Sequence, residues 1–135
     1  MRELREFQKA KDCYEKAIQI DPNYINAHNN LGLVFRNLGL IQKEISCYKK
    51  AIQIDPNHVP AYNNLGTILG ELNHVNEAKK CFEKSLNLDP NNKRACEGYG
   101  DILFKLNQHS KAIAYIRKGT GLIQFTEKAV KIIQG

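Results

Sequence analysis

The chain has 135 residues, 42% of them hydrophobic and 25% charged, with a formal net charge of +6, which is one domain's worth of sequence with enough apolar material for a core. No stretch approaches the roughly 18 uninterrupted apolar residues of a membrane span, and the opening MRELREFQKAKD alternates charges instead of running into an apolar leader. The chain therefore reads as a soluble, cytoplasmic protein without a membrane role. Its charge is zero over 1–22, +2 over 23–56, −1 over 57–90, +4 over 91–124 and +1 over the rest. The excess near the C-terminus contains no basic run interleaved with aromatics, which argues against a nucleic-acid surface.

In chain order, residues 1–22 predict one helix with Phe7, Ala10, Tyr14 and Ala17 on its apolar side. It closes with AIQIDPN at 17–23, a phrase that returns unchanged at 51–57 and as SLNLDPN at 85–91. Residues 23–56 and 57–90 are identical at 11 of 34 positions, 91–124 match the second copy at 10, and 1–22 match the end of the first at 13 of 22. The chain thus divides into a half repeat (1–22), two full repeats (23–56 and 57–90), a divergent third (91–124) and a tail (125–135). A fixed period of this length predicts a solenoid whose units bury their apolar faces by stacking.

Each full unit predicts two helices. Leu31, Val34, Phe35 and Leu38 recur at steps of three and four, as do Leu65, Ile68, Leu69 and Leu72. A second stripe runs through Ile41, Ile45, Tyr48, Ala51 and Ile52, and again through Val75, Ala78, Phe82, Ser85 and Leu86. Gly39 and Asn73 suit a left-handed turn between the two helices. The Asp-Pro of each closing phrase stops the second helix. Gly32, Gly66 and Gly100 are costly inside a helix, by up to about 1 kcal/mol, unless they let two helices approach closely; the recurrent alanines Ala27, Ala61, Ala95, Ala51, Ala78 and Ala112 fit the same account. In the tail, Gly119 and Gly121 are expected to stop the preceding helix, and Thr126 to cap a last one with Ala129, Val130 and Ile133 on its apolar side. Such a helix covers the final repeat or leads on to a further domain.

The 34-residue unit, with NNLG early in its first helix, a small residue and then an aromatic in its second, and LDP at its end, resembles the tetratricopeptide repeat. The residues that carry the likeness are Leu31-Gly32, Phe35, Tyr48, Ala51 and Pro56; Tyr62, Leu65-Gly66, Ala78, Phe82 and Pro90; Tyr99-Gly100, Leu103 and Ala112; and, in the half copy, Ala10, Tyr14, Ala17 and Pro22. Glu44 departs from it where a small residue is usual, as do His28 and Cys96 where a large aromatic is common and Gly119 where alanine would sit. The resemblance covers about residues 1–118. It implies an all-α, right-handed superhelix of antiparallel helix pairs, a concave groove lined by the first helices, a peptide or partner protein as ligand, and no catalysis.

The residues opposite the packing stripe of the first helices are the candidates for that groove: Asn26, Asn29, Asn30, Leu33 and Asn37; Asn63, Asn64, Thr67 and Glu71; Arg94, Glu97, Asp101 and Lys105. Asparagine both donates and accepts, so a column of asparagines can pair with the backbone of an extended peptide, or simply solvate a helix face. The NNLG copies are similar to the asparagine ladder in the repeats of O-linked N-acetylglucosamine transferase, which implies peptide binding by Asn30 and Asn64, with Gly98 ending the ladder. A carboxylate clamp is matched only by Asn64 and Arg94.

Nothing in the sequence calls for a cofactor or a metal. Cys13, Cys47 and Cys81 fall one per repeat, but packed helices lie roughly 8–10 Å apart, too far for stacked equivalent positions to share a disulfide or converge on zinc. They and Cys96 read as small packing residues. The histidines, His28, His58, His74 and His109, fall near helix starts and turns, and no nucleophile, phosphate-loop or paired-carboxylate motif is present. Three functions stay open: a module that binds a peptide or protein in its groove; a scaffold that self-associates, as a homodimer through Phe7, Ala10, Tyr14 and Ala17 of the unpaired first helix; and a fragment of a larger enzyme that carries such a repeat array.

Overall fold

A computed structural model describes residues 2–120. They form seven α-helices and no strand: α1 (Arg2–Ile20), α2 (Ile25–Asn37), α3 (Ile41–Ile54), α4 (Val59–Glu71), α5 (Val75–Leu88), α6 (Lys93–Lys105) and α7 (His109–Thr120). The starts of α2, α4 and α6 are each 34 residues apart, and so are those of α3, α5 and α7. The expected capping helix at 125–135 lies outside the described residues. This is an all-α helical repeat.

The two turns of each repeat have local causes. Two residues beyond the ends of α2, α4 and α6 stand Gly39, Asn73 and Asn107, which take positive φ of 72°, 67° and 63°. The N–H of the next residue reaches back to the carbonyl of Phe35, Leu69 or Leu103, at 2.9, 2.8 and 2.8 Å, and the turn residue's own N–H reaches Arg36, Gly70 or Phe104. This double reach satisfies carbonyls that the helix leaves open and reverses the chain. Asp-Pro follows α1, α3 and α5 instead. Asp55 is extended, at φ −134° and ψ 100°, and its side chain accepts from the N–H of Asn57 at 3.0 Å, as Asp21 does from Asn23 at 3.1 Å.

The described chain falls into two compact units, the boundary lying between Ala61 and Tyr62 in the first turn of α4. In the first unit α2 packs against α3, and α1 against α2. Leu31, Phe35 and Cys47 form its core cluster, with Tyr14 and Ile18 of α1 and Leu38 packed onto it. In the second unit α6 packs against both α5 and α7, and Phe82, Leu103, Cys96 and Ser85 are fully buried.

Close approach of the two helices in a repeat depends on missing side chains. A Cβ on Gly32 would lie 2.4 Å from the Tyr48 ring, one on Gly66 2.9 Å from Phe82, and one on Gly100 2.5 Å from Ile116. The six recurrent alanines are at most 1% exposed. Gly119 corrects an expectation: it does not stop α7, which runs on to Thr120. It is buried against α6, where a Cβ would meet Glu97 Cγ at 2.8 Å.

Candidate functional site

In the first unit the face of α2 is mixed in character. Asn26 and Asn37 are exposed, Asn30 and Leu33 half-buried, and Asn29 buried. Asn37 turns its amide onto its own helix, Nδ2 donating to the Leu33 carbonyl at 2.9 Å. His28, one residue from Asn29, is buried and donates through Nε2 to the Pro22 carbonyl at 2.8 Å, a structural role at a position where the repeat commonly has a large aromatic.

Behind this face sits Glu44, only 1% exposed. Its side chain is partnered there: the Tyr48 hydroxyl donates to Oε2 at 3.0 Å and Arg36 Nη1 approaches it at 3.4 Å. Burial, and then the Glu44 charge, raise the Tyr48 hydroxyl pKa above the ordinary tyrosine range. Burial chiefly, with Glu15 and Glu44 adding to it, raises the Cys47 thiol to about 11.

The second unit holds the better-formed site. A cleft of about 390 Å³ opens between α4 and α6, lined by Gly66, Thr67, Gly70 and Glu71 on one side and Gly98, Asp101, Ile102, Phe104 and Lys105 on the other, with Phe82 of α5 beneath. The Phe82 ring defines its floor. Its Cζ and Cε1 lie 2.9 and 3.1 Å from where a Gly66 Cβ would be, and both lie 2.4 Å from where a Gly98 Cβ would be. One ring thus comes up between two glycines on neighbouring first helices. This gives a packing reason for the break in the asparagine column at Gly98.

Polar contacts tie the two walls together. Arg94 Nη2 donates to Asn64 Oδ1 at 3.1 Å, and Lys105 Nζ to the Gly70 carbonyl at 2.7 Å. Asn63 is buried and donates through Nδ2 to Asn92 Oδ1 at 3.0 Å. Asn92 is the N-cap of α6, and the same oxygen accepts from the Ala95 N–H at 3.0 Å. Thr67 donates back to its own helix, at the Asn63 carbonyl. Glu97 lies against Gly119 of α7. Glu71, Asp101 and Lys105 are exposed. Of the thirteen groove candidates, the structure therefore brings Thr67, Glu71, Asp101 and Lys105 into one cleft, pairs Asn64 with Arg94 beside it, and turns Asn63 and Glu97 toward helix packing. The sequence reading passed over Gly70, Phe82, Ile102 and Phe104 as site residues. Their only signal was the i, i+4 pair of Gly66 and Gly70 together with the periodic aromatic.

On the opposite side of α6, Tyr99 donates to Glu83 Oε2 at 3.2 Å and meets Tyr115 edge-on at 4.7 Å. Burial, then the Glu83 charge, push its hydroxyl up to about 12. Phe7, Ala10, Tyr14 and Ala17 are all half-buried on α1, and of these Tyr14 joins the core cluster of its unit. The cysteines are free thiols; Cys47 and Cys96 are buried, Cys81 is half-buried and Cys13 is exposed. Among the described residues no cluster of His, Cys, Asp and Glu could hold a metal ion, and no helix is long and apolar enough to cross a membrane.

Two family models match. One, described as the TPR repeat, covers residues 2–39, and the other, described as the CABIN1 N-terminal domain, covers residues 29–118. None of the curated proteins matches at a significant level. Similar solved structures include "MamA MSR-1 C2", at 20% identity and a TM-score of 0.69 over 90% of this chain and 70% of that one. Another is "MamA RS-1 ArsTM double mutant", at 18% identity and 0.75 over 93% and 70%. At such identities the likeness is one of fold.

Proposed function

Because the chain belongs to the family of the CABIN1 N-terminal domain and also carries a TPR repeat, we propose that it is a protein-interaction module that holds a segment of a partner in the cleft between α4 and α6. The observation that carries this reading is the cleft between α4 and α6. It has an apolar floor at Phe82 and Ile102 and a polar rim at Thr67, Glu71, Asp101 and Lys105, the combination that concave binding sites use to anchor and orient a ligand. In the other unit Asn30 and Leu33 offer a half-buried polar and apolar pair on the same kind of helix face. Nothing in either site supplies an activated nucleophile or an acid–base pair, so the contribution assigned to these residues is binding.

Selection of random twelve-residue peptides on the immobilised chain tests the reading. Enriched peptides are expected to bind the natural chain at least tenfold more tightly than a Thr67→Ala/Asp101→Ala variant whose circular dichroism is unchanged. Equal binding to both would overturn the groove assignment.

Self-association through α1 is a second reading. It is supported by the exposed apolar side chains of α1, Leu4 at 53% and Ile20 at 86%. Light scattering on size-exclusion chromatography tests it. A mass that doubles with concentration, and returns to the monomer value in a Phe7→Glu variant, supports it; a monomer at every concentration removes it.

A further inference from the structure

We propose that the exposed face of α3 is a second interaction surface, one that takes an acidic segment of a partner protein. When α1, α3, α5 and α7 are laid over one another at the 34-residue step, a single register position keeps the same residue in all four: Lys16, Lys50, Lys84 and Lys118. Each is exposed, so the packing that accounts for the buried alanines and aromatics of these helices does not account for the lysine. Nor does the helix dipole, whose effect is confined to the last turn, because the last turns of α1, α3 and α5 hold no basic residue. Nor do ion pairs along the helix, since the positions three and four residues away hold an acid only once, at Asp12.

On α3 this lysine has company. At about 100° per residue, Lys49, Gln42, Gln53, Ser46, Lys50 and Lys43 fall within one stripe roughly 120° wide, and all six are exposed. Every side chain of the stripe can donate a hydrogen bond and none is a carboxylate. The one acid of the helix, Glu44, is buried with Tyr48 and Arg36. Among the described residues none of the three lysines meets a carboxylate, and Glu15 of α1, whose charge reaches the Cys47 thiol, is engaged by Lys11 at 3.3 Å. Lys43 is held over the Phe35 ring, 5.6 Å from its centroid. From Lys43 to Lys50 is about 10 Å along the axis, the span of about three residues of extended chain, so the carboxylates of a short acidic segment can meet all three ammonium groups. A membrane surface would ask for apolar side chains on the same face, and nucleic acid for arginines and aromatics that stack on bases; the stripe has neither.

The test uses the full chain, labelled with ¹⁵N, titrated with a capped nonapeptide of alternating glutamate, aspartate and serine, with its glutamine and asparagine counterpart, with duplex DNA and with phosphatidylserine vesicles. The acidic peptide is expected to move the amide signals of residues 42–53 saturably, with an affinity that falls as salt is added, and the amide counterpart to leave them in place. In a Lys43→Gln/Lys49→Gln/Lys50→Gln variant that affinity should drop about tenfold, the effect of losing three solvent-exposed ion pairs. An Arg2→Gln/Arg5→Gln/Lys9→Gln variant, which sheds the same charge from α1, should keep it. An equal loss in both variants overturns the proposal, since net charge alone is then at work. Shifts confined to other residues, or none, overturn it as well, and tighter binding of DNA or of vesicles at 42–53 overturns it in favour of that partner. Each of these results leaves the α4/α6 cleft standing, which the peptide selection tests separately.

Discussion

Replacing Gly98 by alanine should destabilise the protein even though alanine is the better helix former. The new Cβ would lie 2.4 Å from both Cε1 and Cζ of Phe82, against an optimal carbon–carbon separation of about 3.5–4.0 Å. The ring must therefore withdraw by more than about 1 Å, and its retreat leads toward Gly66, whose own Cβ position is 2.9 Å from Cζ. Overpacking of this kind costs about 1–3 kcal/mol, and the helix-propensity gain of alanine over glycine offsets up to about 1 kcal/mol of it. The expected net loss is about 1–2 kcal/mol, or a fall in Tm of roughly 3–10 °C for a chain of this size. Urea titration followed by far-ultraviolet circular dichroism measures it, with an unchanged m value as the check that the unfolded state is not the cause. In a Phe82→Leu background the colliding ring atoms are gone, so the same Gly98→Ala change should become stabilising, by up to about 1 kcal/mol. A Gly98→Ala protein as stable as the natural chain, or an effect of one sign in both backgrounds, would refute the reasoning.

Asn92→Ala should cost about 2–3 kcal/mol by thermal melting, because it removes the N-cap of α6 and strands the buried Asn63 amide that shares the same acceptor; Asn92→Asp, which keeps an acceptor, should cost less. Cys47 makes stability fall at high pH. Its thiol is raised from 9.0 to about 11 in the fold, so the unfolded chain loses this proton first, and the stabilisation, complete below pH 9, is lost as pH rises toward 11. The urea midpoint should drop across that window, less steeply in Cys47→Ala, and at pH 8 a thiol reagent should modify the exposed Cys13 well before Cys47.

The helices were legible because the signals that set them are local. A left-handed turn residue, an Asp-Pro stop and a 34-residue recurrence of small and aromatic side chains each act within one helix pair, and the helix starts follow that recurrence from α2 to α7. The site was less legible because its contacts join residues far apart in sequence. Asn63 and Asn64 are neighbours with the same side chain, yet one meets the cap of a helix 29 residues on and the other an arginine 30 residues on. Glu97 looked like a groove residue until Gly119 brought α7 against it. Glu44 is the most telling case: a charged letter at a small-residue position reads as a weakened repeat, whereas the fold buries it with hydrogen bonds from Tyr48 and Arg36.

The Phe82 ring belongs to two layers of the protein at once, since its edges are core and its tip is the cleft floor. Recognition and cohesion therefore cannot drift independently at this place. A substitution at 82 that kept the fold would still reshape what the cleft accepts, and a selection for a new partner acting on Gly66 or Gly98 would be felt first as a change in stability. Evolution of this surface should accordingly be easiest at Thr67, Glu71, Asp101 and Lys105, whose side chains can vary in charge and length without moving the ring.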